Sequence, residues 1–380
     1  MESLAVALLL APCTFVPWAY LPGSSSPKAL SLRPGFRVAG LGAAREQHGQ
    51  PPKRIERLAK YTAVRAAWLP DLRSRTGIAM AASQPSPAPV TQAARTIKDE
   101  IPGLIRMARP NTIPMGSGLV LLGAFGARAT MLSPSAVVGR IGLGALLTII
   151  VTTGSMLIND YHDHKLGVDN QQTKPGRPLV TGEVRPDSVK FVLKWAYATH
   201  LTLLCLVDSA PMRLWVLANT LLTYLYSVHL KPITGVKNFV CAAIVAMAIG
   251  LGAIAVGGGA SSLLAVWRPM IAVAGLIWHR EMVMDVKDME GDRLAGVQTV
   301  AVAVGKERAL WLSLLPLSIG VAAAASVAGP ASKLCATVPL VLQGAYALWA
   351  LSCGFTPSSL RNAIELAPLW LLLTLGALTL

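Results

Sequence analysis

Beyond residue 110 the chain is built of long apolar runs broken by short polar ones. No residue is charged between Ile141 and Ile158, and thirty consecutive positions from Asn238 to Trp267 carry no charge. As a helix, a run of about 18 or more apolar residues matches the thickness of a bilayer core. The pattern predicts nine spans, near residues 113–131, 138–158, 190–207, 211–228, 238–257, 262–283, 309–328, 334–353 and 366–380. Pro134, Pro211, Gly257-Gly258-Gly259, Pro330 and Pro357 punctuate them. The glycine triplet is not followed by a phosphate-loop lysine and reads as a tight inter-helix loop. The expected fold is an all-α polytopic membrane protein, a bundle of about nine transmembrane helices.

Composition agrees. The 380 residues are 53% hydrophobic and only 14% charged, against about 25% charged in a soluble domain. A net charge of +15 raises the question of nucleic acid. The basic residues, however, sit in an N-terminal tail and in short loops, with no basic helix or aromatic sheet to read bases, so no nucleic-acid partner is expected. Residues 1–96 hold 12 Lys/Arg against 4 Asp/Glu. This acid-poor, Arg-, Ser-, Ala- and Pro-rich stretch reads as an organelle transit peptide over 1–82, plastid first and mitochondrion second. Leu4–Leu10 could form a secretory core, but only Glu2 precedes it and a long basic stretch follows. A linker over 83–100, opening with the Pro/Ser run Ser83–Val90, then leads to a membrane domain over 101–380. The five cysteines show no CxxC spacing and read as small buried apolar residues. His200 and most of the tryptophans read as packing or interfacial residues.

Two long polar loops, 159–189 and 284–308, follow even-numbered spans and so share a side with the N-terminal segment. Lys165, Lys174, Arg177, Arg185, Lys231, Lys237, Lys287 and Arg293 lie on that side; the opposite side offers only Arg128, Arg140, Arg213, Arg268 and Lys333. The positive-inside rule places both long loops on the cytoplasm-equivalent face, the stroma in a plastid.

Acidic residues concentrate in those two loops. Asp160 and Asp163 stand three apart, with Asp169 after them; Asp285, Asp288 and Asp292 follow an i, i+3, i+7 spacing that shares one helix face. One such cluster alone reads as solvated charge, but two on one side form a cage for a hard cation such as Mg²⁺, which takes one or two carboxylates and phosphate oxygens. Lys174, Arg177, Lys231 and Arg280 accompany them and suit an oxyanion. Tyr161 and Tyr226 could line the site. Carboxylates for metal, cations for diphosphate and an apolar bundle together imply a polyprenyl diphosphate donor and a lipophilic acceptor in a lipid bilayer.

At these residues the chain resembles the UbiA superfamily of intramembrane prenyltransferases, over roughly Arg106 to Arg308. The run Asp285-Val286-Lys287-Asp288-Met289-Glu290-Gly291-Asp292 follows the family's D-x-x-D-x-x-x-D motif, and Ala108-Arg109-Pro110-Asn111-Thr112 matches the segment before its first helix. The resemblance implies nine helices, prenyl transfer, Mg²⁺ held by Asn159, Asp160, Asp163, Asp285, Asp288 and Asp292, and Arg109 among the diphosphate ligands. In the first motif Gly167 replaces the third acid and Asp169 arrives two residues later, as in naphthoate prenyltransferases. Lys174-Pro175-Gly176-Arg177-Pro178 and Arg280-Glu281 resemble instead enzymes that alkylate geranylgeranylglyceryl phosphate, and Glu290-Gly291-Asp292-Arg293 resembles chlorophyll synthases. An aromatic or quinone-precursor acceptor in a plastid membrane is the first expectation. Glyceryl phosphate or chlorophyllide prenylation, cyclisation of the diphosphate, and a cation transporter using membrane-edge acids are the alternatives.

Overall fold

Ser133 opens the longest helix: its side chain accepts from the Ala136 N–H, and Pro134 occupies the first turn, where no amide donor is needed. The helix stops at Gly167, whose φ of 78° is left-handed. The computed structural model describes residues 96–127, 133–257, 259–294 and 296–379. In chain order its helices are α1 (Ile97–Ala108), α2 (Ile113–Ala127), α3 (Pro134–Leu166), α4 (Pro178–Thr181), α5 (Pro186–Cys205), α6 (Ala210–Leu225), α7 (Val236–Gly257), α8 (Leu263–Leu294), α9 (Val300–Val304), α10 (Lys306–Ala325), α11 (Pro330–Ser352) and α12 (Pro357–Thr379). A π-helical turn, Tyr226–Leu230, continues α6. Among the described residues nine helices have 15 residues or more, one for each expected span, and there is no strand. Four of them (α3, α7, α10 and α11) are individually long and apolar enough to cross a membrane.

The boundaries differ from the expectation in informative ways. α3 runs eight residues past the apolar stretch and α8 eleven past it, so the acids stand on helical turns rather than in loops. Backbone hydrogen bonding carries a helix into water until a breaker intervenes, whereas hydropathy registers only the part that prefers lipid. α12 spans Pro357–Thr379, 23 residues, where the pattern predicts a short span over 366–380. Helix α1 begins at Ile97, inside the expected linker. The expected transit peptide and the Pro/Ser run lie outside the described residues. Cys205 and Cys335 are exposed on the outer face rather than buried, because their helices turn that side away from the bundle.

α8 is the central helix, packed along α7, α10 and α12, with Val266, Ala272, Val273, Leu276, Val283 and Val286 fully buried. His200 is buried too and bonds to Thr220, a packing role. Apolar side chains also cover the outside: Phe125, Phe191, Trp195, Leu214, Leu315 and Leu334 are all exposed. A lipid-facing surface has this composition, because hydrocarbon outside is no more polar than the core inside. Where α2 crosses α7 the packing is backbone on backbone. A Cβ on Gly123 would strike the Ile249 carbonyl oxygen, and one on Gly252 the Val120 carbonyl oxygen. Small residues at both positions allow that approach.

Candidate active site

Both acid clusters stand at one end of the bundle. On the last turns of α3, Asp160 is 3% exposed. Arg109 donates to it from Nη2 at 3.0 Å, and Arg177 from Nη1 at 3.0 and 2.9 Å, one bond to each oxygen. The sharp bend after α1 aims Arg109 there: its backbone takes the left-handed conformation, φ 50°. The first helical turn of α4 begins immediately after Arg177.

Asp163, one turn further along α3, meets the Lys231 ammonium at 2.6 Å. Lys231 sits at the end of the π turn, with its N–H bonded to the Tyr226 carbonyl. Asp169, past the end of α3, is buried, with Arg177 Nε 3.7 Å away. Burial pushes its carboxyl above the ordinary aspartate range, the Asp163 and Asp160 carboxylates push the same way, and Arg177 opposes them.

On α8, Asp285 is buried and both its oxygens are engaged from the start of α7: Lys237 Nζ at 2.6 Å and Asn238 Nδ2 at 3.0 Å. Asp288 is partly open and looser, with Lys174 and Lys287 each at 3.8 Å. No ion pair among the described residues reaches Asp292. The Lys174–Asp288 contact joins the loop after α3 to α8, so the two long polar segments meet on one side, as parity and charge predict. Arg280 lies more than a turn deeper in α8 and pairs with Glu281 at 2.8 Å.

The two tyrosines part company. Tyr226 lies within electrostatic reach of Cys241, Glu281, Asp285 and Asp163. Tyr161 turns toward α5, where the Lys190 ammonium stands 5.9 Å from its ring centre. Lys237 and Asn238 belong to the site, though no sequence motif marks them. Their signal was position alone: they open an apolar span on the side where the acids lie.

Among the described residues no three His, Cys, Asp or Glu side chains stand together closely enough to hold one ion. Asp160, Asp163, Asp169, Asp285 and Asp288 each face a lysine or arginine, Asp160 and Asp169 sharing Arg177. Beside the acid clusters, three buried oxygens nevertheless have no hydrogen-bond partner: Asn159 Oδ1, Asp169 Oδ2 and Asn238 Oδ1. All are hard donors, flanking the carboxylates of α3 and α8.

Residues 118–373 match the model of the UbiA prenyltransferase family. The chain belongs to that family. As a member it is a prenyltransferase, a multi-pass membrane enzyme. Digeranylgeranylglyceryl phosphate synthase of Halobacterium salinarum is 32% identical over 229 residues, covering 59% of this chain and 77% of that one. The Natronomonas pharaonis enzyme of the same name is 29% identical over 219 residues, 57% and 73% of the two chains. The fold is shared with a solved digeranylgeranylglyceryl phosphate synthase at TM-score 0.56 and 18% identity, covering 74% of this chain and 97% of that one. It is shared also with a UbiA homologue from Archaeoglobus fulgidus bound to DMAPP and Mg²⁺, at TM-score 0.51 and 21% identity, covering 73% and 99%.

Proposed function

We propose that this UbiA-family prenyltransferase moves a polyprenyl chain from its diphosphate onto a glyceryl-phosphate lipid, with Mg²⁺ as its metal. The observation that carries the acceptor is the Arg280–Glu281 pair. It places a part-buried guanidinium in the apolar length of α8, with a buried Nε that has no partner. Charge at such a depth is costly and is retained where a ligand uses it. An anionic acceptor calls for a second cation beyond those serving the diphosphate, and a phosphate, which carries up to two negative charges, engages it more strongly than the carboxylate of an aromatic acid. Similarity to the two haloarchaeal digeranylgeranylglyceryl phosphate synthases favours the same acceptor over the aromatic one expected first.

The donor set fits Mg²⁺, which takes few carboxylates and keeps waters and phosphate oxygens as its other ligands. Asn159, Asp160 and Asp163 on α3 and Asp285, Asp288 and Asp292 on α8 are its proposed holders, with Asp169 within reach. Bound Mg²⁺ offsets the charge that builds on the leaving diphosphate. Arg109, Arg177, Lys174 and Lys231 bind the phosphate oxygens and fix the allylic C1–O bond against them. The apolar bundle keeps water from the carbocation, so that an acceptor hydroxyl oxygen captures it and gives its proton to the released diphosphate.

Residues 1–82 are, in this reading, a plastid transit peptide and 83 onward a short linker into the membrane domain, with the mitochondrial inner membrane as the second destination. A fluorescent reporter fused to residues 1–90 tests it: secretory fluorescence would defeat it.

The acceptor is tested with purified enzyme, geranylgeranyl diphosphate and a panel of prenylglyceryl phosphate, naphthoate, homogentisate, hydroxybenzoate and chlorophyllide, read by mass spectrometry. The expected product is the ether of the glyceryl phosphate, lost in Arg280→Met. Product with an aromatic acceptor alone overturns the assignment, and a cyclised hydrocarbon formed without acceptor replaces it with cyclisation.

A further inference from the structure

Helix α1 is not part of the bundle proper, yet it is firmly held. Glu100 is fully buried and accepts from Arg185, through the backbone N–H at 3.1 Å and through Nε at 2.5 Å. Arg106 pairs with Glu183, and Gly103 sits so close to Val184 that a Cβ would strike it. These contacts fix the rotation of the helix about its axis.

With rotation fixed, its surface divides into three sectors, at about 100° per residue. Glu100, Gly103 and Met107 fall within about 60° of one another and face the protein. Lys98, Asp99 and Arg106 occupy a second sector of about 100°, the charged one. The third holds Ile97, Ile101 and Ile105, at 37, 47 and 54% exposure, with the half-buried Leu104 beside them. A helix docked on a soluble protein has two faces, one buried and one polar. A third sector, apolar and uncovered, needs a third environment.

The chain itself says which. Only Arg109 and a single turn, Pro110–Thr112, separate the end of α1 from the start of α2, so α1 lies at the level where α2 enters the bilayer. Arg185, which holds Glu100, immediately precedes α5, and the exposed Phe191 and Trp195 follow within the first three turns of that helix. Exposed tryptophan marks the membrane interface, and exposed phenylalanine the lipid-facing side. The isoleucine sector therefore continues the lipid-facing surface of the bundle at its active-site end.

We propose that α1 is a membrane-surface helix, immersed in the leaflet on the active-site side through Ile97, Ile101 and Ile105, and that it thereby positions Arg109 against Asp160. Amphipathic helices with this composition lie in the headgroup–acyl boundary, apolar face down and charged face up. The residue that ends the helix is the one whose guanidinium reaches Asp160 at 3.0 Å. Seating of α1 in lipid and the geometry of the site are mechanically one element.

The test uses the full chain in phospholipid vesicles, in a background with the native cysteines replaced. A nitroxide is placed in turn at Lys98→Cys, Ile101→Cys and Ile105→Cys, and its collisions with oxygen and with a water-soluble nickel chelate are measured by power saturation. Labels at Ile101 and Ile105 should meet oxygen more readily than nickel, and the label at Lys98 the reverse. Nickel access at Ile101 equal to that at Lys98 would put the face in water. Shielding from both reagents would put it under protein, a second copy or the chain's own N-terminal segment. Either result overturns the proposal. For the coupling, Ile101→Ser/Ile105→Ser should raise KM for the prenyl diphosphate several-fold at unchanged melting temperature, and an unchanged KM refutes it. Should that variant melt early, the same KM comparison made on Ile105→Ser alone decides.

Discussion

Replacing Asp288 and Asp160 by asparagine, one at a time, should separate catalysis from folding within one site. Asp288 is 36% exposed at its side chain, and its two cations stand off at 3.8 Å. An exposed, loose pair contributes about 0–1 kcal/mol, so Asp288→Asn should leave stability nearly unchanged. Asp160 is different. Its carboxylate is buried and takes three hydrogen bonds from two guanidiniums. Asparagine retains one acceptor oxygen but leaves Arg109 without its counter-charge and Arg177 with only Asp169, 3.7 Å away. Breaking a buried pair costs about 3–5 kcal/mol, reduced here to about 2–4 because both arginines are roughly one-third open to solvent. Turnover should fall about 10²–10³-fold in both variants, the scale of losing one electrostatic stabiliser of the departing group. The assay is product formation by purified protein beside a melting curve of the same preparation. Near-normal turnover in Asp288→Asn, or a loss of melting temperature as large as that of Asp160→Asn, would refute the reasoning.

Gly252→Val should destabilise the bundle by about 1–3 kcal/mol or more, since its side chain must push α2 and α7 apart; thermal melting in detergent reads this. Glu100 carries the pH dependence of α1. Burial alone would raise its carboxyl, but hydrogen bonds from Ser188 and Arg185 hold it below the ordinary glutamate range. A depressed folded value means its contribution is complete above that range and is lost as pH falls through the folded one. Wild type should therefore lose stability on acidification where Glu100→Gln, weaker at neutral pH, does not; melting temperature against pH checks it. EDTA should abolish transfer and Mg²⁺ or Mn²⁺ restore it, read as product formed before and after addition.

Hydropathy located all nine long helices, because a residue's preference for lipid is a property of the residue alone. It stopped short on α3 and α8, where Asp160, Asp163, Asp288 and Asp292 are polar yet still helical. That the two long loops share a side was legible from parity and from lysine and arginine bias, and Lys174 beside Asp288 bears it out. The partners of the acids were not legible. That Asn238 meets Asp285 depends on how α7 crosses α8, and that Tyr161 turns to Lys190 depends on the rotation of α3. Crossing and rotation are set by which small residues let two backbones approach, information spread over both helices and invisible in either. Glu100 shows the same limit: by composition a solvated first-turn acid, by tertiary contact the anchor of α1.

The crossing of α2 and α7 also decides where the bundle can give way. Each helix there presses a carbonyl oxygen onto a bare α-carbon of the other, at Gly123 and at Gly252. Nothing projects between them, so that seam has neither a side chain to swing aside nor room for a hydrocarbon chain to thread. The opposite situation holds between α3 and α5. There Ile149, Ile150, Thr153, Phe191, Trp195 and Thr199 line an open, largely apolar cleft of about 600 Å³. The protein has a welded side and a slotted side: the first leaves no room for a hydrocarbon chain, and the second provides it.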